Sequence, residues 1–148
     1  AYEAKEVKRM SPSYYHSYIC ANVASALKQE GTYSIFTELT LAIDGKDYVP
    51  DVSVYPKRAV QWRTRDILKM TEMPLTAIEI VSPSQTMDDA LNKFETYFRA
   101  GIKSCWLISP IMTAINIYTN MEQAQTFQVG DIVEPVLNIR IPITAIFE

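Results

Sequence analysis

Residues 75–109 constrain the fold more than any other part of the chain. "LTAIEIVS", residues 75–82, is an almost unbroken apolar run, the kind that suits a strand covered on both faces in the middle of a sheet. It leads into "SPSQTMDDALNKFETYFRAG". There Ser84 or Thr86 can cap a helix, Asp88 and Asp89 favour its first turn, and Gly101 closes it. Leu91, Phe94, Tyr97 and Phe98 form the apolar face of that helix. A second apolar strand, "KSCWLIS", follows at 103–109. A long helix between two apolar strands implies a parallel crossover within a mixed sheet.

The flanking segments extend this frame. Residues 2–10 are charged and partly alternating, as in a short edge strand. From Tyr14 to Gln29 the pattern suits a helix, with Tyr15, Tyr18, Ile19, Val23, Ala26 and Leu27 on one face and Asn22 the one polar residue among them. Residues 33–43 read as a strand, "DGKD" as a hairpin signal, and Tyr48–Tyr55 as the partner strand. Residues 57–73 are basic and partly helical in pattern. "MTAINIYT" at 112–119 is a further strand, and the remainder through "IRIPITAIF" is short β or extended. The expected class is α/β with α+β character: a mixed central sheet in the order helix, hairpin, strand, helix, strand, strand.

A chain of 148 residues with 48% hydrophobic and 21% charged residues suggests one domain, 1–148, with one sizeable core. The net charge of −3 argues against a general nucleic-acid coat protein but leaves room for a local basic face. Cys20 and Cys105 read as buried free thiols, and no Cys/His spacing suggests zinc. No apolar run reaches the roughly 18–20 residues of a transmembrane helix, and no signal peptide is evident. A cytoplasmic protein with no membrane partner is expected.

The sharpest chemical feature is a pair of carboxylates inside apolar strands: Asp51 in "YVPDVSVYPK" and Glu79 between Ile78 and Ile80. Burying a charge costs several kcal/mol unless something pairs with it. Two acids on neighbouring strands can converge on one divalent cation, and magnesium takes one or two carboxylates plus waters and phosphate oxygens. The plainer alternative pairs each acid with Lys or Arg, or leaves it in solvent. Lys93 shares a helix face with Asp89 and Tyr97 at intervals of four, and its ammonium could reach the carboxylates or pair with Asp89.

"PDVSV", "AIEIVSPS" and "DDALNKFETYFRAGIKSCWLISP", in this order, resemble the restriction-endonuclease-like family of bacterial proteins within the PD-(D/E)XK nuclease superfamily. The resemblance runs from about Met10 to Tyr118. It implies a restriction-endonuclease-like fold with a helix on each side of the sheet. It also implies magnesium or manganese held by Asp51 and Glu79, and hydrolysis of DNA phosphodiester bonds. The superfamily pattern expects a lysine two residues after the glutamate. Val81 stands there, so the resemblance carries that role to Lys93 on the following helix.

Other residues can be placed around this site. His16, the lone histidine, could contact phosphate or shuttle protons, or simply cap and pack. Glu38 could be a further metal ligand or a surface acid, with Glu6 a weaker candidate. Tyr97 could hold Lys93 or a phosphate, or belong to the core. Lys57, Arg58, Arg63, Arg65 and Lys69 face only Asp66 in their segment, and with Trp62 they form the candidate DNA contact. Trp106 reads as core. Two strands of duplex DNA need two cuts, so a homodimer is expected. The rival readings are an inactive nucleic-acid-binding module on the same fold and an interaction protein that pairs through its C-terminal edge.

Overall fold

The computed structural model describes residues 12–82 and 85–148. The expected strand at 2–10, with Glu6, and the candidate cap Ser84 lie outside these residues. Helix α1 spans Tyr14–Gln29, the bounds its sequence predicts. The Ser13 hydroxyl accepts from the His16 amide at 3.1 Å, which starts the helix. Its core face is Ile19, Val23 and Leu27. Tyr15 and Tyr18, expected on that face, are 54% and 53% exposed, and burial begins only at Ile19, one turn after Tyr15. Asn22 is satisfied by donating to the Ile146 carbonyl at 2.9 Å.

The expected long hairpin is two short ladders. Strands β1 (Tyr33–Thr37) and β4 (Val52–Pro56) pair antiparallel. Strands β2 (Leu41–Ile43) and β3 (Lys46–Tyr48) form a separate ribbon around Asp44 and Gly45, both at positive φ as a tight hairpin turn requires. The break between the ladders has a local cause. Pro50 has no N–H to donate, and Glu38, whose amide bonds the Asp51 carbonyl, takes φ 53°. β2 binds Met70 instead, through Ala42 N to Met70 O at 2.9 Å and Met70 N to Thr40 O at 2.8 Å. Residues 57–73 form turns and irregular chain with no helix.

Strand β5 (Thr76–Ile80), helix α2 (Met87–Arg99) and strand β6 (Ser104–Ser109) form the crossover, and β5 and β6 are parallel. Thr86 caps α2 in a reciprocal box with Asp89. Strands β7 (Ala114–Asn120) and β8 (Gln123–Phe127) complete a six-stranded sheet of order β1-β4-β5-β6-β7-β8, antiparallel except at β5–β6. α1 packs with Val52, Val54, Ile78, Ile80, Trp106 and Ile108 on one face. On the other, Phe94 and Tyr97 of α2 pack with Ala77, Cys105 and Leu107. This is the expected mixed sheet with a helix on each side. The tail pairs β9 (Asp131–Glu134) with β10 (Ile139–Pro142) and ends in a helical turn, α3 (Thr144–Phe147). Extended structure thus stops at Pro142 rather than running through "ITAIF". Among the described residues no helix is long and apolar enough to cross a membrane.

Candidate active site

The sheet register brings the two carboxylates together. β4 and β5 pair Ser53 with Ala77 and Val52 with Ile78. One further step sets Asp51 opposite Glu79; Glu79 turns to α2, while the Asp51 carboxylate bonds the β5 main chain and reaches the start of α1. Asp51 stands where β4 begins, just past Pro50, and its Oδ2 accepts from the Ile80 amide at 2.7 Å. A side chain thus takes the place of a main-chain acceptor where the ladder has stopped. The other oxygen, Oδ1, lies 3.0 Å from His16 Nε2. One carboxylate therefore ties the start of α1 to the end of β5.

Glu79 is 3% exposed in a strand that is buried throughout. α2 supplies its partners. The Tyr97 hydroxyl donates to Oε2 at 2.8 Å, and Lys93 Nζ lies 3.6 Å from Oε1. These positions follow from helical periodicity: residues four apart stack on one face, and that face lies over β5 and β6. Lys93 is therefore turned to Glu79, while Asp89 serves the cap. Val81 packs beside the α2 core cluster.

Burial drives the electrostatics. Loss of water pushes the Glu79 carboxyl up to about 7; the charge of Asp51 adds to this, and Lys93 and Tyr97 oppose it. Burial and the neighbouring Glu79 raise the Tyr97 hydroxyl. The hydrogen bond to Asp51 raises His16 despite desolvation, and Glu38 and Glu79 add to the upward push. His16 Nδ1 is buried without a hydrogen-bond partner. Glu38 is exposed, and its amide donates to the Asp51 carbonyl at 3.2 Å. Cys20, whose thiol is 3.8 Å from that carbonyl, is pushed up to about 11 by burial. That is a poor setting for a thiolate nucleophile.

Among the described residues no three His, Cys, Asp or Glu side chains form a metal-chelating cluster. The donor set that is present is two hard carboxylates, one of them buried beside a like charge. That suits magnesium, which keeps several waters.

The basic segment is placed differently from the carboxylates. Lys57 and Arg58 follow Pro56, at the end of β4 away from Asp51, roughly 20 Å along the strand at 3.3 Å per residue. Arg58 is engaged: it makes two hydrogen bonds to Glu72, at 2.8 and 2.9 Å, and lies over the Tyr55 ring at 4.7 Å. Lys69 pairs with Asp47 at 3.0 Å. Arg63, Arg65 and Trp62 are exposed, Trp62 by 87%.

Sequence reasoning passed over a second buried carboxylate. Glu134 Oε2 accepts from Trp106 Nε1 and from Ser104 Oγ at 3.0 Å, and Oε1 accepts from the Val136 amide at 2.8 Å. The signal was one acid among the apolar residues of "IVEPVL", too short a run to mark it. Trp106 is core, as expected.

The matched family model decides where this arrangement belongs. Residues 5–144 match the Uma2 family, described as "putative restriction endonuclease". The chain belongs to the Uma2 family. This bears out the restriction-endonuclease-like family its motifs resemble. It is also similar to the crystal structure of a "putative nuclease belonging to DUF820" from Anabaena variabilis, with a TM-score of 0.75 and 22% identity over 92% of this chain and 82% of that one. At that identity the likeness shows a shared fold. No curated protein matches the chain. Within the Uma2 fold, the Asp51–Glu79 pair lies at the C-terminal end of β5, next to the parallel pair β5–β6.

Proposed function

We propose that this Uma2 protein is a magnesium- or manganese-dependent nuclease that hydrolyses DNA phosphodiester bonds at the Asp51–Glu79 pair. The observation that carries this reading is a buried carboxylate held opposite a second one, with one lysine 3.6 Å away. Asp51 and Glu79 would hold the ion, with Glu38 near enough in charge to add to the same field. A bound ion would supply Lewis-acid activation of water and neutralise charge on the phosphate.

The chain's own groups set up the rest. Tyr97 fixes one Glu79 oxygen by its hydrogen bond, so the other is presented toward Lys93. The Lys93 ammonium stands where it can orient a water nucleophile and stabilise charge developing on phosphoryl oxygens. His16 and the Ile80 amide fix both oxygens of Asp51. Exposed Arg63 and Arg65 would contact the DNA backbone farther from the cut.

Calorimetric titration of manganese into the wild type and Glu79→Ala, alongside cleavage of plasmid and single-stranded DNA, tests the reading. Binding lost in the variant, with cutting that requires Lys93, supports it. Absence of binding in the wild type overturns the metal site. Binding without cutting overturns the nuclease and leaves an inactive module on this fold. Sedimentation would test the homodimer proposed for cutting duplex DNA.

A further inference from the structure

Asp51 is held by donors from three elements. Its carbonyl accepts from the Glu38 amide, just past β1, at 3.2 Å, and from the Cys20 thiol of α1 at 3.8 Å. Its carboxylate accepts from the Ile80 amide of β5 at 2.7 Å and lies 3.0 Å from His16 Nε2 of α1. Two of these donors are main-chain N–H groups, which any residue but proline supplies. A thiol is a weak donor. His16 is therefore the one strong contact to Asp51 that depends on the choice of side chain. The start of α1 sets it there: the Ser13 cap fixes the His16 amide, and His16 and Cys20, four residues apart, meet Asp51 from one side of the helix.

The imidazole serves Asp51 and nothing else. Its side chain is 13% exposed, and Nε2 is taken up by Asp51 Oδ1. Nδ1 is buried and has no hydrogen-bond partner among the described residues. Neither nitrogen is left facing a phosphate or an attacking water. Nor does the ring suit a purely structural role, since a buried polar atom without a partner costs about 1–3 kcal/mol. The Asp51 carboxylate, by contrast, keeps room for an ion. A carboxylate offers about four acceptor positions, and Ile80 and His16 take one on each oxygen. Bonded at both oxygens, the carboxylate plane is fixed. Bonded to Ile80 alone, it could turn about the last side-chain bond.

Resting on the nuclease reading above, we infer that His16 is a positioning residue: it holds the Asp51 carboxylate in the orientation that binds the divalent cation, and it touches neither the ion nor the substrate. Groups that hydrogen-bond a metal ligand set its orientation, and their loss typically costs 10–100-fold in metal affinity. His16 thus differs from Lys93, which stands beside Glu79 and acts on the reacting groups.

The test compares the wild type, His16→Ala and His16→Gln by calorimetric titration of manganese, by thermal midpoint without metal, and by DNA cleavage across a range of manganese concentrations. His16→Ala should bind manganese about 10–100-fold more weakly. His16→Gln, whose side-chain amide offers an N–H in place of Nε2–H, should recover most of that loss. The metal-free midpoint of His16→Ala should fall by no more than about 4 °C, the effect of one hydrogen bond in a chain of this size. Cleavage by His16→Ala should return toward the wild-type rate once manganese saturates the weakened site. Unchanged affinity in His16→Ala overturns the positioning role. So does cleavage that stays low at saturating manganese, which would make His16 a catalytic group. A large fall in midpoint with no recovery in His16→Gln would make it structural and overturns the role as well. Failure of the nuclease reading looks different. A wild type that binds no manganese removes the metal site and His16's role together. A wild type that binds but does not cut removes the nuclease alone, and the affinities of the two variants still decide the role of His16.

Discussion

Glu79 and Glu134 are both buried, 3% and 1% exposed, yet they are held in opposite ways. Glu134 receives three neutral donors, from Trp106, Ser104 and Val136. Ser104 is itself bonded to Thr76 at 2.6 Å, so the network is closed. Glu79 receives one hydroxyl and a lysine at 3.6 Å, and it stands opposite Asp51. Burial alone therefore does not mark a functional carboxylate. What separates the two is satisfaction: the fold completes the shell of Glu134 with three donors, and leaves Glu79 with one hydroxyl donor, a lysine at 3.6 Å and a like charge beside it. A satisfied buried polar group belongs to structure; an under-compensated one is a candidate for ligand binding.

The strongest way to break the comparison is to neutralise each acid. Glu79→Gln should abolish manganese binding in calorimetry and lower cleavage by at least about 10³-fold, while leaving the fold intact. Glu134→Ala should do the reverse. It strands three donors, at a cost of about 3–5 kcal/mol, which is a fall of roughly 10 °C in thermal midpoint for a chain of this size. Manganese affinity should stay near the wild-type value. Metal binding that survives Glu79→Gln, or is lost in folded Glu134→Ala, would erase the distinction.

The same contrast explains what the sequence makes legible. Glu79 stands out because "AIEIV" has no other polar residue, and Asp51 because proline and valines surround it. The crossover 76–109 is legible because the helix cap, the helical period and two apolar strands all agree. Glu134 is not, because its partners Trp106 and Ser104 lie about 30 residues away, and no local pattern announces a donor. The long hairpin misleads for a similar reason. Alternating apolar residues run through Leu39 and Val49, but Pro50 and the positive φ of Glu38 divide it. The tyrosines of α1 keep the helical period of the core residues, yet only tertiary packing reveals that burial starts at Ile19.

Lys93 sharpens the comparison from the cation side. Lys93→Ala should lower cleavage about 10²-fold while manganese affinity changes little, because it removes a positive neighbour and no ligand. Lys93→Arg should restore part of the rate. A loss of affinity as large as the loss of rate would make Lys93 a structural partner of Glu79, equivalent to the donors of Glu134.

The smallest effect is a pH dependence that belongs to one of the two acids. In the folded chain Glu79 titrates near 7, against an ordinary value of 4.5. The folded state thus binds this proton more tightly than the unfolded state does. The stabilisation is fully present below about pH 4.5 and is lost as pH rises through about 7. Between pH 5 and 8 the metal-free protein should lose about 2 kcal/mol from this group. His16, raised by Asp51, adds to the loss in the same direction. Metal affinity should run the other way and rise over this window, because the ion competes with the proton. Denaturant melts of the metal-free protein at pH 5 and 8 measure the slope. Glu79→Gln removes the titrating group, so most of the slope should go with it, leaving the part due to His16. If the full slope remains in Glu79→Gln, the proton is held elsewhere, and the under-compensated character assigned to Glu79 fails with it.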